Sequence, residues 1–389
     1  MTIKLFQQDR YLKQTEALVL EVSKQGIVLD RTIFAPSAGG QVCDLGTIND
    51  LRVVDVEETD GIIYHVTEQD APFKAGDLVK LYLDWDRRFE HMQNHCGEHI
   101  LSGIIMREFG AENKGFHLGD DIVSLDIDLK DMTAEMLSKL EDLANETVYM
   151  GIPVGISMID NREDAEKLPL RKGVKVDEDI MVVTIPDVDC VACCCPHPTS
   201  TAEVGVIKII RTEKYKGLTR IYIKCGKRAF EDYRKKHDIV TALNRKYSAE
   251  DDTLLEKIKI QESKNNVLRS ELNFMKNTFA DIEAARLVME IAGGSIQKEY
   301  ENGTIDDLMR TAKKLMEKTD LPIVLSSLQV MSVLITHNGK SKLKCGQVVK
   351  EFAVGAGGKG GGSDTQARAI FSDVDIMRNF IKIIEAHVR

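Results

Sequence analysis

RFEHMQNHCGEHILSGIIMREFG, residues 88–110, decides how the rest of the chain is read. The stretch predicts a helix ending near Gly110. His91, His95 and His99 follow one another within it at four-residue intervals. Residues four apart on a helix stand one turn apart on one face, so His95 and His99 can both point at one metal ion. The pair is not the metalloprotease HExxH signature, because residue 96 is Cys, and Glu98 falls on another face of the helix. Taken alone, HxxxH is a weak motif, and a pair of satisfied polar helix residues is the commoner explanation of the spacing.

A second cluster lies about a hundred residues on, in CVACCCPHP, residues 190–198. Cys193 and His197 form a CxxxH pair, Cys190 and Cys193 a CxxC pair, and Cys194 and Cys195 add further thiols. Pro196 and Pro198 make this a rigid loop presenting soft ligands rather than a helix. With His95 and His99 it offers the Cys-plus-His chemistry suited to tetrahedral zinc. A zinc ribbon would need a second CxxC, which Cys225 and Cys345 do not supply, and a redox CxxC lacks a thioredoxin-like βαβ setting.

Working outward, residues 3–83 form short β-type runs broken by turns near Gly26, Gly61 and Gly76. After the histidine helix come a predicted strand at 120–129, a helix at 133–151 and a two-stranded hairpin-like unit at 203–226. From about His237 to Lys276 the chain turns long and helical, as a connector or an antiparallel hairpin. Leu254, Ile258, Gln261, Asn265, Leu268, Leu272 and Met275 make a short heptad seam that suits a homodimer contact or packing within its own domain. The remainder returns to alternating strands and helices.

The 389 residues have ordinary composition, 43% apolar and 29% charged, enough for two or three packed domains. No apolar run reaches 18 residues, which excludes a spanning helix, and the first ten residues do not resemble a secretory signal. Eight cysteines, four of them within residues 190–195, fit an intracellular metal or thiol role better than a disulfide framework. The net charge is −10, with acids at Glu57, Glu58, Asp60 and across 120–131, yet Lys208 to Lys236 carries eleven Lys or Arg against three acids. Such a run can position phosphates, or simply be a solvated face.

Both histidine-bearing stretches resemble the editing domain of alanyl-tRNA synthetases and its free-standing AlaX relatives. The match rests on RRFEHMQNHCGEHILSG and CVACCCPHPTSTAEVGVIKI, with LDRTIFAPSAGGQVCDLGTI upstream and KGLTRIYIKCG downstream. GAGGKGGGSDTQARA resembles the glycine-rich DHH-associated domain that ends those synthetases. The likeness touches nearly the whole chain in the family's order, the arrangement of the long AlaX form. Departures are Cys96 for Ser or Thr, Cys194-Cys195-Pro196 inside the CxxxH loop, Ala202 within the usual T-G-E, and Ala35 before the loop proline. Cys193 is the motif match for a ligand, with Cys190, Cys194 and Cys195 as rivals.

The resemblance implies an α+β fold: an N-terminal β-barrel-like domain (1–88), a zinc editing domain (89–236), a helical connector (237–285) and a C-terminal α/β domain (286–389). It implies one zinc per chain held by His95, His99, Cys193 and His197, as either a closed site or an open one with bound water. It implies substrate contacts from Thr32, Gly39, Gly40, Gln41 and Asn113. For tRNA it implies contacts from Lys216, Arg220, Lys359 and Arg368, with the glycine-rich segment read as strand, anion-binding loop and helix. The implied activity is that of a cytoplasmic aminoacyl-tRNA deacylase acting on tRNA(Ala) mischarged with serine or glycine. An alanine pocket excludes smaller glycine poorly and serine weakly, so a second site is needed. Too little chain precedes the histidine helix for an aminoacylation domain, so tRNA charging is not expected, and no Asp-His-His triplet suggests a phosphoesterase. The alternatives are a zinc-stabilised tRNA-binding module without catalysis, and a metal-dependent hydrolase of another ester or amide.

Overall fold

A computed structural model of the chain describes residues 2–119, 123–174, 176–291 and 293–388. Asp120 and Asp121, part of the expected acidic run and strand, lie outside the described residues. The chain is mixed α and β and divides into two compact units, 1–242 and 243–389.

In the first unit six strands close on themselves in the hydrogen-bonded order Gln14–Ser23, Gly26–Leu29, Ile62–Thr67, Leu51–Thr59, Gly46–Ile48 and Leu78–Leu83. Alternation explains the closure: Val79, Leu81 and Leu83 point inward while their neighbours face out. They meet Ile27, Leu29, Phe34, Ile48 and Ile63 in one core. The histidine helix follows as Trp85–Phe109. Asp84 caps it by accepting the Arg87 N–H at 3.1 Å, and Gly110 ends it in the left-handed conformation at φ 62°.

This helix is buried on nearly every side from His91 to Ile105. One face packs on a four-stranded sheet in the order Ile207–Tyr215, Leu218–Cys225, Val123–Ile127 and Asn113–Leu118, and on the helix Ala134–Met150. The predicted hairpin turns at Lys216 and Gly217, both with positive φ. A three-stranded sheet, Gly155–Asn161, Glu178–Ile185 and Asp189–Ala192, carries the cysteine loop at its end.

The expected helical region consists of two helices, Gly226–Tyr247 and Leu254–Met289. Ser248 takes a positive φ, and Thr253 Oγ1 accepts the Glu250 N–H at 3.1 Å, so 248–253 closes one helix before the next begins. Along the heptad seam Leu254 is buried, whereas Leu268, Leu272 and Met275 are more than half exposed.

The second unit's sheet has the order Ile296–Tyr300, Ile323–Ser327, Ser332–Thr336, Gln366–Ile370 and Lys359–Gly362. Only its first pair is parallel, joined through the helix Ile305–Met316, so the expected α/β domain is a largely antiparallel one. The glycine segment is also corrected. Lys359–Gly362 is an extended edge strand, not an anion-binding loop before a helix. Its glycines answer a steric need: a Cβ at Gly360 or Gly362 would collide with the backbone of Gln366–Ile370. Among the described residues no helix is long and apolar enough to cross a membrane.

Arg88 is wholly buried and forms an ion pair with Asp44, with Nε at 2.8 Å from Oδ1. Asp44 also accepts the Ala35 N–H at 2.6 Å, and Arg88 donates to the Ile33 carbonyl at 2.7 Å. Removing one partner strands a buried charge, which costs about 3–5 kcal/mol. Asp44→Ala is therefore expected to lower the thermal midpoint by many degrees, followed by circular dichroism, whereas Glu21→Ala, at an exposed position of the barrel, should shift it little.

Candidate metal centre

The metal reading depends on whether distant side chains converge, and four of them do. One ligand atom each from His95, His99, Cys193 and His197 lies within 4.8 Å of all the others. Cys193 Sγ is 3.7 Å from His95 Nε2 and 3.4 Å from His197 Nε2. Tetrahedral bonds of the usual zinc lengths give donor separations of about 3.3–3.6 Å, so the set needs little movement to close on one ion. The thiol rivals fall outside the four-donor group, although Cys195 hydrogen-bonds Cys193 from beside it. Cys190 lies on a buried strand with Sγ 3.7 Å from Thr184 Oγ1, Cys194 is exposed, and Cys195 Sγ faces the Ala38 carbonyl at 3.5 Å.

Second partners fix which nitrogen of each ring faces the cluster. His95 Nδ1 meets Gln41 Oε1 at 2.7 Å, and His99 Nδ1 meets Asp189 Oδ2 at 2.9 Å, so both present Nε2. Arg171 buttresses Asp189 through Nε at 2.6 Å. Gly103 makes this contact sterically feasible, since a Cβ there would strike the Val188 carbonyl next to Asp189. The loop backbone is clamped from the barrel side, where Arg10 donates to the carbonyls of His197 (3.1 Å) and Pro198 (3.2 Å).

Sequence reasoning missed Asp189, Arg171 and Arg10, and set Glu98 on a separate face. The acid directly before Cys190 was a usable signal for Asp189; nothing local marked the two arginines. Glu98 does leave the helix beside the histidine face, yet its carboxylate bends back to within 3.9 Å of His99 Nε2. Its Oε1 accepts from Ser102 Oγ and from Asn113 Nδ2 at 2.6 Å.

The remaining expected site residues fall into distinct places. Gly39, Gly40 and Gln41 border the cluster: Gly40 accepts the Leu118 N–H at 2.8 Å, and its φ of 87° with Phe116 packed against it admits only glycine comfortably. Asn113 is spent on Glu98. Thr32 sits in the barrel core, its hydroxyl 2.8 Å from His65 Nε2 and accepting the Phe34 N–H at 3.1 Å. The structure therefore does not bring the Thr32 hydroxyl to the four donors. Arg220 is held in a bidentate pair with Asp126 at 2.6 and 2.7 Å, stacked on Tyr215, while Lys216 tips the hairpin. Lys359 and Arg368 are exposed on their sheet.

The buried charges fit a divalent ion. Glu98, Asp189 and a Cys193 thiolate face the single positive charge of Arg171, leaving two negative charges in excess if the imidazoles are neutral. The metal-free site compensates with protons. Burial opposes the charge on His99, but hydrogen bonds to Asp189 and Cys193 push it up to about 10. Burial pulls His197 down to about 4. Hydrogen bonds from Cys195 and His197 hold the Cys193 thiol well below its usual value against the opposing effect of burial.

Comparison with known proteins follows the same outline. The family described as tRNA synthetases class II (A) matches residues 2–87, and the threonyl and alanyl tRNA synthetase second additional domain matches residues 180–222. The chain therefore carries modules of the class II synthetase world. An alanyl-tRNA editing protein, AlaX-L of Pyrococcus horikoshii, is 33% identical over 95% of this chain and 94% of its own length. The chain belongs to the AlaX family of alanyl-tRNA editing proteins. Alanine–tRNA ligases of Pyrococcus abyssi and Thermococcus kodakarensis are each 31% identical over 98% and 92% of this chain, which spans only 43% and 40% of their length.

Because His99 keeps its proton at neutral pH in the metal-free protein, metal loading must expel it. The sign follows: affinity rises with pH from about 7 toward about 10 as that proton becomes easier to lose. Zinc titration calorimetry at pH 7.5 in buffers of different ionisation heat, a pH chosen at about the usual neutral value, is expected to report release of about one proton per ion. Binding with no proton release would contradict this account of His99.

Proposed function

We propose that this protein is a trans-editing deacylase that hydrolyses the ester joining serine, and also glycine, to tRNA(Ala). The observation that carries the reading is the convergence of His95, His99, Cys193 and His197 beside the Gly39–Gln41 loop. The name of the Pyrococcus horikoshii relative supports it. In this reading one zinc per chain occupies the four-donor cluster. When bound, such an ion polarises an ester carbonyl or acidifies a water.

The chain's own residues prepare the site for that chemistry. The glycine loop lets backbone approach the aminoacyl group closely, with Leu118 holding the Gly40 carbonyl. Gln41 orients His95 and Asp189 orients His99. Asn113 and Ser102 fix one oxygen of Glu98, leaving the other directed toward the His99 ring. Thr32 acts a layer behind the loop, tying His65 to the backbone at Phe34. Low dielectric around these groups strengthens each interaction with a reacting ester.

The tRNA body is read, in this proposal, by Lys216 and Arg220 on the hairpin and by Lys359 and Arg368 on the second unit. Gly361 leaves the sheet face beside Arg368 open. The organisation is that of an N-terminal barrel domain (1–88), an editing domain (89–236), a helical connector (237–285) and a C-terminal domain (286–389), working in the cytoplasm. The exposed Leu268, Leu272 and Met275 provide a homodimer contact.

The test is deacylation of Ser-tRNA(Ala) against Ala-tRNA(Ala), with metal analysis of the same samples. Faster hydrolysis of the seryl substrate and about one zinc per chain are expected, the stoichiometry of a single tetrahedral site. His95→Ala combined with His99→Ala should lose zinc and hydrolysis together; full activity in that metal-free double variant would refute the site. A bound zinc with tRNA affinity but no turnover would instead favour the binding-module alternative.

A chain ending after Tyr247 keeps every proposed zinc donor. It is expected to retain zinc while its apparent affinity for Ser-tRNA(Ala) falls, measured as a rise in KM. Unchanged KM and unchanged tRNA selectivity would remove the tRNA-reading role from the second unit.

A further inference from the structure

The four donors are not held alike. His95 has Gln41 on its outer nitrogen at 2.7 Å, and His99 has Asp189 at 2.9 Å, itself bound by Arg171 at 2.6 Å. His197 is fully buried, yet its Nδ1 has no hydrogen-bond partner among the described residues. Its ring meets other members of the cluster, with centroids 4.7 Å from His95 and 4.6 Å from His99 and Nε2 3.4 Å from Cys193 Sγ. The clamp from Arg10 reaches the His197 carbonyl, not its imidazole. A ligand histidine nearly always donates its second N–H to an acceptor, which fixes its orientation and raises its basicity.

We propose that His197 is the weakly held, exchangeable ligand of the metal centre, while His95, His99 and Cys193 form its permanent three-donor core. The inference rests on the metal reading given under Proposed function. It deepens that reading by deciding between the closed and the open site: four donors converge, but one of them lacks the support that would make it permanent. Three firm donors and one exchangeable position are the pattern of sites that admit a small ligand. Because Arg10 fixes the backbone, His197 would leave by rotation of its own side chain rather than by movement of the loop. Half-buried Cys193 and exposed Cys194 mark the side from which a small anion can approach.

Metal affinity, not turnover, tests this. Dissociation constants for zinc are measured by chelator competition for the intact chain and for His95→Ala, His99→Ala and His197→Ala. An outer-sphere partner is worth about 10–100-fold in metal affinity. His197→Ala is therefore expected to bind zinc at least about tenfold more tightly than either other variant. A His197→Ala constant as weak as that of His99→Ala overturns the inference.

Two further arms keep the test independent of how those variants fold. Gln41→Ala and Asp189→Asn should each weaken zinc binding by about 10–100-fold. No change in either variant overturns the claim that outer partners grade the ligands. In the cobalt-substituted intact protein, azide should shift the visible absorption bands, and the shift should saturate at lower azide in His197→Ala. Bands insensitive to azide in both proteins overturn the exchangeable position. If the intact chain binds neither zinc nor cobalt, the metal reading itself fails, and it is identified by that outcome alone.

Discussion

The buried ion pair of Arg88 with Asp44 sets the register on which the rest of the first unit depends. Arg88 and His95 are seven residues apart, two turns along one face of the helix, or about 11 Å. Asp44 and Gln41 are three residues apart in a loop that spans about 10 Å when extended. The same loop can therefore grip the helix twice, Asp44 on Arg88 and Gln41 on His95. With both contacts made, Gly39 is carried beside Cys195 and Gly40 beside Phe116, which stacks on His95. An ion pair taken out of water adds little net stability, but it penalises any other alignment of barrel and helix.

A helix buried from His91 to Ile105 is unusual for a sequence this polar. Buried polar groups are tolerated only when each finds a partner. Here they do so by serving one another: Gln93 donates to the Glu203 carbonyl at 2.9 Å, Asn94 accepts the Cys225 N–H at 3.0 Å, and Ser102 and Asn113 share Glu98. The charges left over by this network are negative and lie around the four donors. A divalent cation held by those donors would supply the missing counter-charge.

What the sequence showed plainly was local. The helix end near Gly110, the helix within 133–151 and the hairpin within 203–226 were readable from residue type and periodicity, and the structure bears them out. Helical spacing made His95 and His99 legible as a pair and the proline-bent loop offered cysteines with His197, but the choice of Cys193 among four cysteines came from the family resemblance. Contacts across long separations were not legible. Asp189 meets His99 from 90 residues away and Arg10 meets His197 from 187, and no local pattern announces either. Thr32 and Asn113 were noticed as polar residues near the right motifs, but only packing reveals that other side chains already occupy their hydrogen-bonding groups. The glycine-rich tail misled for a different reason. Glycine serves both left-handed turns and close backbone approach, and composition alone does not separate the two. At Gly360 and Gly362 the second need governs, which yields a strand where a loop was expected.

The barrel and the histidine helix cannot be regarded as separable modules joined by a linker. Arg10 and Tyr11, before the first barrel strand, bind the His197 carbonyl and the Glu203 carboxylate. Ala38 meets Cys195, Gln41 meets His95, and Gly40 meets Leu118 on the strand whose Phe116 stacks on His95. Each bond joins the barrel segment to a donor or to a segment that touches one. Cutting the chain at residue 88 would remove the Gln41 partner of His95 and the clamp on His197, while leaving all four donors in the sequence. A piece able to hold the donor geometry must therefore include the barrel as well as the histidine helix and the cysteine loop. This gives a physical reason for similarity to far longer alanine–tRNA ligases to extend through the barrel instead of beginning at the first histidine.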